Sequence, residues 1–394
     1  MSDSTTHIYL IPGLFGFARL AGHDYFVHLD RALHHRYRAL DRPVQVHVIP
    51  TPPTASLMVR AGVVAQQIAA HSTSAEQIHL VGHSTGGLDA RLLLCQHTRM
   101  SLAAEDLAWR QRVKSLVTIN TPHFGTPLAG YFTSAAGTRL LYALSLLTVT
   151  SLSVGKLPLT AVSSILTGLS TLDDKLGFEL RLLDQITAYI LRYVGEDVRA
   201  EFTAYLDHVR QDRGGIVQLM PESMGLFNAT VIDNDAVRYG CVVTAAPAPA
   251  PRHLASSLLT PMSALSRAIY TIVYQVAAAA DRAYPYAHPD AAASQRMRAE
   301  LGYEPDNDAV DGIVPTLSML WGEVLYCGRA DHLDVVGHFG DDVRPEQHVD
   351  WLESGARFTR AEFQRMVTAI CNFQFGQRAD VAHAQARTGF IPGP

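Results

Sequence analysis

The chain has 394 residues, 48% of them hydrophobic and 18% charged, enough apolar material for one large buried core or two ordinary ones. Its formal charge of -5 comes from 32 basic and 37 acidic residues with no long basic run, which excludes the electrostatic footprint of a nucleic-acid-binding protein. Four cysteines (Cys95, Cys241, Cys327, Cys371) lie far apart without C-x-x-C spacing, so they read as buried or free thiols rather than a structural zinc site.

From the N-terminus, residues 1–7 are short and polar, and the apolar run from Ile8 is broken by Pro12, Gly13 and Gly16. That pattern suits a strand and a loop rather than a signal core, which makes a cytoplasmic location the default expectation. HIYLI (7–11), VQVHVI (44–49), QIHLVG (77–82), VKSLVTI (113–119) and VRYGCVV (237–243) are short apolar runs bounded by turn residues, as buried strands are. Helical spacing of apolar residues separates them over His23 to Tyr37, Ala61 to Ala70 and Leu88 to Cys95. Alternation of this kind predicts a mostly parallel sheet covered by helices, an α/β architecture.

The rhythm changes after Thr126. Residues 1–126 read as the first part of the core and 127–235 as a helical cap or lid insertion, Leu-rich and without a convincing strand. Within it, Leu140 to Gly155 carries no charge but is about 16 residues long, short of the roughly 20 that span a bilayer. Residues 236–254 return to the core as a strand and a Pro-rich turn, 255–301 form a second helical insertion, and 302–394 complete the core with a closing amphipathic helix over 357–373.

The chemistry concentrates at Gly82-His83-Ser84-Thr85-Gly86, a G-x-S-x-G sequence between an apolar strand and the helical run LDARLLL. A serine on so tight a strand-to-helix turn sits in a strained backbone conformation, with small neighbours, its hydroxyl raised above the sheet and the next helix favouring negative charge. Ser84 is therefore the candidate nucleophile for acyl transfer; His83 adjoins it but points elsewhere in such a turn. Acyl transfer needs two backbone N–H donors for the tetrahedral oxygen. Thr85 supplies one, and Leu14, in the glycine-bearing loop Pro12-Gly13-Leu14-Phe15-Gly16, is the candidate for the other.

Downstream, Asp311 opens the loop DGIVP and His332 follows in ADHLD. His332 is the candidate base and Asp311 the acid that orients it, in the chain order Ser, Asp, His. Eighteen histidines make any single one weak by itself. His123, His338 and His348 compete with His332, Asp306 and Asp308 compete with Asp311, and Asp89 sits on the helix after the nucleophile, facing away from it.

IYLIPGLFGF (8–17), IHLVGHSTGGLDAR (78–91), VKSLVTINTPHFGTPLA (113–129) and DGIVPTLSMLWGEVLYCGRADHLDVVG (311–337), taken together and in this order, resemble the bacterial triacylglycerol lipase family, the true lipases related to the Pseudomonas and Burkholderia enzymes. The resemblance covers about a fifth of the chain and leaves both insertions unmatched. It implies an α/β-hydrolase fold and a serine carboxylic-ester hydrolase, a lipase or esterase acting through Ser84, Asp311 and His332 with Leu14 and Thr85 as oxyanion donors and no cofactor required for the chemistry. It also implies an acyl-ester or lipid substrate and transient contact of the cap with a lipid interface. Related lipases hold a structural calcium near the base; Asp334 matches one of its aspartates and Asp290 is the upstream candidate for the other. The chain departs from secreted members in showing no signal pattern and no cysteine after the DGIV loop. An acyltransferase or polyester depolymerase would use the same triad, and a non-catalytic lipid-binding protein could share the scaffold. Oligomeric state is not legible here.

Overall fold

A computed structural model describes residues 5–16, 19–20, 23–73, 77–97, 100–152, 188, 196–249, 261–279, 284, 286–340 and 350–377. Its centre is a six-stranded sheet formed by β1 (Thr6–Ile11), β4 (Val44–Val48), β5 (Gln77–His83), β6 (Val113–Ile119), β7 (Arg238–Ala245) and β8 (Glu323–Arg329). A two-stranded ribbon, β2 (Arg19–Leu20) with β3 (His23–Asp24), stands apart from it. The order across the sheet is β4-β1-β5-β6-β7-β8 and every neighbouring pair is parallel. This is the α/β-hydrolase fold that the sequence predicts.

Parallel strands need crossovers, and helices provide them. Here α1 (Val27–Ala39) links β3 to β4, α2 (Leu57–His71) links β4 to β5, and α3 (Thr85–Leu94) leaves β5 towards β6. Strand periodicity explains why both faces are covered. In β1, Ile8 and Leu10 join one apolar cluster with α1 and the closing helix α11 (Arg360–Gln374), while Tyr9 and Ile11 join the other with α2 and α3. A third cluster packs Cys241, Val243, Val324 and Cys327 beneath α10 (Ala291–Leu301). All four cysteines are free and buried, as read from their spacing.

The segment between β6 and β7 is helical among the described residues: α4 (Pro127–Phe132), α5 (Ala135–Leu152), α6 (Glu196–Gln211), α7 (Gly214–Gln218) and α8 (Pro221–Thr230). Helix α9 (Pro261–Ala277) and α10 follow β7. Residues 153–155, the end of the uncharged stretch that begins at Leu140, lie outside the described residues. Among those described, no helix is long and apolar enough to cross a membrane.

Several boundaries differ from the sequence reading. The helix expected from His23 begins at Val27, because His23 and Asp24 pair with β2. Strand β8 was not among the expected strands; its run EVLYCGR is bounded by charges and follows a short 3₁₀ turn, so its alternation is short. Side-chain caps set other ends: Ser56 accepts from Val59 N at the start of α2, and Thr359 with Glu362 forms a capping box on α11.

The topology decides where a site can form. From β1 the chain moves to the edge strand β4, returns across β1 to β5, and then proceeds only the other way. The reversal lies between β1 and β5, and the loops leaving their carboxyl ends come together there, at the edge where open α/β sheets place ligands. Those loops are Pro12 to Gly16 and the turn at Ser84.

One buried histidine makes this sheet sensitive to acid. His79 on β5 is bound to Ser115 Oγ at 2.7 Å, and burial, assisted by Arg238 and Lys114, pushes its pKa down to about 3. The unfolded chain takes up this proton near about pH 6.5. The contribution is complete above that pH and is lost as pH falls through the window down to about 3. Urea midpoints measured from neutral to acidic pH should fall less steeply for His79→Gln than for the parent protein.

Candidate active site

The turn after β5 begins with Gly82, whose added Cβ would lie 2.4 Å from Gly87 N. A Cβ on Gly86 would lie 2.1 Å from Ile11 O, and one on Gly87 would lie 2.2 Å from Thr121 Oγ1. Only hydrogen fits at these positions, so β5 and α3 close to backbone contact with β1. Between them Ser84 adopts φ 53° and ψ -129°, a left-handed region unfavourable for a residue with a side chain. The strain is held by bonds on both sides: Ser84 N donates to Ile119 O at 2.8 Å, and Gly87 N donates to Ser84 O at 3.1 Å. The serine is buried but for 8% of its surface, which faces a cavity.

The loop after β1 passes directly over this serine. A Cβ on Gly13 would lie 2.5 Å from Ser84 Cβ and 3.0 Å from Oγ. Phe15 has φ 59°, its N–H is committed to Pro53 O at 2.9 Å, and Gly16 N is committed to Gly13 O. Leu14 lines the same cavity as Ser84, and Thr85 opens α3, where first-turn N–H groups have no partner within the helix.

Arg60, to which the sequence analysis gave no part, organises this corner. Fully buried on α2, it donates to Pro12 O at 2.6 Å, to Pro52 O at 2.7 Å, and through Nε to Asp89 Oδ2 at 2.9 Å. One guanidinium thus joins the loop over Ser84, the loop after β4 and the helix after Ser84. The Asp89 carboxylate is taken up by this pair. Burial raises its carboxyl to about pKa 6, with Arg60 opposing the shift. From the helical segment between β6 and β7, Tyr205 on α6 donates to Phe15 O at 3.1 Å, a second tether on the same loop.

Asp311 and His332 meet. Asp311 is fully buried, and its Oδ2 lies 2.6 Å from His332 Nδ1. Asn120 Nδ2 donates to that oxygen at 3.0 Å, while Ile313 N and Val314 N donate to Oδ1 at 2.8 and 2.7 Å. A carboxylate accepts at both oxygens, so the His332 Nδ1 position carries the proton and Nε2 is left to accept. His332 is 7% exposed and lines the cavity together with Ser84. Asn120 is the other residue that sequence reasoning passed over. It sits at the end of β6 with φ 47°, its amide anchored to Thr244 Oγ1 at 2.7 Å. Its signal, an asparagine directly after an apolar strand, is too common to single out.

The competing residues fall elsewhere. His123 lies between Arg91 and Thr118 Oγ1 and stacks on Trp321, and burial holds its pKa well below the ordinary value. His338 bonds to Tyr25 O and stacks on Trp351. His348 lies outside the described residues. Asp306 is exposed and accepts from Asp308 N.

The cavity beside Ser84 encloses about 910 Å³ including its open mouth. Its lining comes from the loops at the sheet edge (Leu14, Pro122, Ile313, Leu333), from the helical segment between β6 and β7 (Leu128, Phe132, Leu144, Ile216) and from Trp351 and Leu352. No Asp, Glu, Lys or Arg is among the described residues that line it.

Next to His332 lies a group of carboxylates. Asp331, Asp334 and Asp350 each offer an oxygen, all within 4.8 Å of one another. Burial pushes the Asp331 and Asp334 carboxyls above the ordinary range, assisted by the charge of Asp311 on the first and of Asp331 and Asp350 on the second. Three hard oxygen donors in so small a space suit a divalent cation such as calcium. Asp334 belongs to this group as the resemblance implies, but Asp290 does not: it caps α10, accepting from Ala293 N at 2.7 Å. The carboxylates beside Asp334 are those of Asp331 and Asp350.

Residues 56–141 match the family model of the PGAP1-like alpha/beta domain, about a fifth of the chain. No curated protein sequence matches. Among solved structures, the chain is similar to the Staphylococcus hyicus lipase (14% identity, TM-score 0.49, covering 98% of this chain and 99% of that one). It is also similar to lipase 1 from Pelosinus fermentans (18% identity, TM-score 0.47, 90% and 97%) and to EstA from Clostridium botulinum (17% identity, TM-score 0.46, 93% and 88%).

Removing the Arg60 guanidinium strands Asp89 and frees two loops. Arg60→Met is expected to lower unfolding free energy by about 3–5 kcal/mol, read from urea denaturation. The double variant Arg60→Met/Asp89→Leu should recover a large part of that loss, because no buried charge is then left alone.

Proposed function

We propose that the protein is a serine carboxylic-ester hydrolase of the lipase or esterase kind, with Ser84 as nucleophile, His332 as base and Asp311 as the acid that orients it. The observation that carries this reading is the strained serine sharing an apolar cavity with an imidazole whose far nitrogen is bound to a buried carboxylate. An inert serine has no need of a left-handed backbone, and a core histidine has no need of a face on a cavity.

In the proposed reaction the Ser84 hydroxyl attacks the ester carbonyl while His332 Nε2 takes its proton. The tetrahedral oxyanion is received by the N–H groups of Leu14 and Thr85. Collapse expels the alcohol, which takes the proton back from His332. Water, deprotonated by the same nitrogen, then releases the acid from the acyl-enzyme. Asp311 stays ionised throughout and stabilises the imidazolium. A cavity that no Asp, Glu, Lys or Arg lines among the described residues favours a neutral ester with an apolar acyl group, which extends the reading to triacylglycerol lipase-like substrates of the kind the Pseudomonas and Burkholderia enzymes cleave. In this reading 127–235 and 255–301 are insertions on the core, the first of them a cap that shields the acyl chain and meets the lipid interface.

The proposal includes a structural calcium held by Asp331, Asp334 and Asp350. Two of these flank His332, so the cation would neutralise repulsion within the loop that carries the base and hold it in place.

Ser84→Ala should abolish turnover of a p-nitrophenyl ester, and Asp311→Asn should lower kcat by about 10⁴-fold with the fold intact by circular dichroism. Undiminished turnover in Ser84→Ala removes the nucleophile. Calcium should raise the melting temperature of chelator-stripped protein, and Asp334→Asn should cancel that increment; an unchanged melting curve on calcium addition removes the cation from the proposal.

A further inference from the structure

His83 directly precedes the candidate nucleophile, is fully buried, and is not among the residues lining the cavity. Its ring is nonetheless committed at both nitrogens. Nε2 lies 2.8 Å from the backbone carbonyl oxygen of His332, and Nδ1 lies 2.7 Å from the Tyr25 hydroxyl. The two imidazoles of His83 and His332 stand 4.7 Å apart between centroids.

The protons in this chain follow from elementary rules. A backbone carbonyl only accepts, so His83 Nε2 must carry hydrogen. Burial and the neighbouring His332 hold the His83 pKa well below its ordinary value, so the ring is neutral and Nδ1 is bare. Tyr25 must therefore donate to Nδ1. Burial raises the pKa of the Tyr25 hydroxyl, which keeps its proton available. The direction runs from Tyr25 O–H to His83 Nδ1, and from His83 Nε2–H to His332 O.

The His332 backbone is consequently gripped from two sides. Its N–H donates to Asp311 O at 3.1 Å, and its carbonyl accepts from His83. The first bond ties the base to the acid; the second ties it to the turn that carries Ser84. Other bonds hold the same loop: Asp331 accepts from Leu333 N, Asp334 N and Ser354 Oγ, Ala330 N donates to Ala245 O at 3.3 Å, and His338 Nε2 lies 2.9 Å from Tyr25 O. These anchor the loop to β7, to Ser354 and to Tyr25, whereas the bond from His83 joins His332 itself to the residue beside Ser84.

We propose that His83 is a positioning residue: its Nε2–H bond to the His332 carbonyl sets the reach of the base to Ser84, and Tyr25 holds His83 in the tautomer this requires. The inference rests on the roles proposed above for Ser84 and His332. It predicts a defect in the chemical step rather than in substrate binding, since neither nitrogen of His83 faces the cavity. Glutamine places an N–H donor near the Nε2 position, whereas leucine offers none.

The experiment compares His83→Leu, His83→Gln and Tyr25→Phe by steady-state kinetics on a p-nitrophenyl ester, by rate of labelling with a fluorophosphonate, and by urea unfolding. For His83→Leu, kcat and the labelling rate should fall by about 10- to 100-fold with KM within about twofold, the scale expected when a reacting group is displaced by about 1 Å. His83→Gln should regain most of that loss, and Tyr25→Phe should show a smaller fall of the same kind. A His83→Leu protein with kcat within about twofold of the parent overturns the inference, as does a glutamine variant no better than leucine at equal stability. Long-range ¹H–¹⁵N correlation spectra of the unmodified protein, with His83 assigned by its loss in His83→Gln, decide the matter if the leucine variant does not fold. A neutral Nε2–H ring supports the inference; an Nδ1–H or charged ring overturns it. Failure of the hydrolase reading is separately visible, as absence of fluorophosphonate labelling in the parent protein.

Discussion

Everything at the site depends on backbone approaching backbone where β5 turns into α3. Gly86 faces the carbonyl of Ile11 and Gly82 faces Gly87 at separations that no Cβ could occupy. This contact fixes the angle at which α3 leaves the sheet, and that angle forces Ser84 into its left-handed conformation. The strain costs on the order of 1–3 kcal/mol and persists because the surrounding structure over-determines it. It is held by the Ile119 carbonyl on one side and by the first turn of α3 on the other. The exposed sliver of Ser84 is thus a product of packing several residues away.

Around that turn the molecule collects groups that are distant in sequence. The strand order reverses between β1 and β5, so loops from either side of the reversal meet at the carboxyl edge of the sheet. Each is then tied by buried polar bonds: Arg60 to the carbonyls of Pro12 and Pro52, Asn120 to Asp311, His83 to His332. In a dry interior such bonds are strong when complete and costly when broken. They favour one arrangement over near alternatives, which is what a site with tolerances below an ångström needs.

The sequence displayed the frame plainly and the tethers hardly at all. Five of the six strands of the main sheet announce themselves as apolar runs between turn residues, and G-x-S-x-G gains meaning from the strand and helix beside it. Asp311 and His332 were reachable because an ordered trio of residue types narrows eighteen histidines to a few. Arg60 was not, since an arginine within an apolar helix looks like a solvent-facing charge until three acceptors are found around it. Asn120, Tyr25 and the carboxylates of Asp331 and Asp350 were hidden for the same reason: their roles are relations in space between segments that sequence spacing does not connect. Asp290 shows the converse, a residue at a plausible distance along the chain that the start of α10 claims for itself.

Among the described residues, five other than glycine have positive φ: Phe15, Asp41, Ser84, Asn120 and Arg357. Relieving such positions with glycine is a common route to hardier variants, because the strain disappears while the fold is kept. Here the route divides. Asp41 and Arg357 are exposed and away from the cavity, and either could be relaxed freely. Phe15, Ser84 and Asn120 sit at the loop over the serine, at the serine itself and against Asp311, so a thermostabilised version of this protein would have to leave its three most awkward backbones as they are.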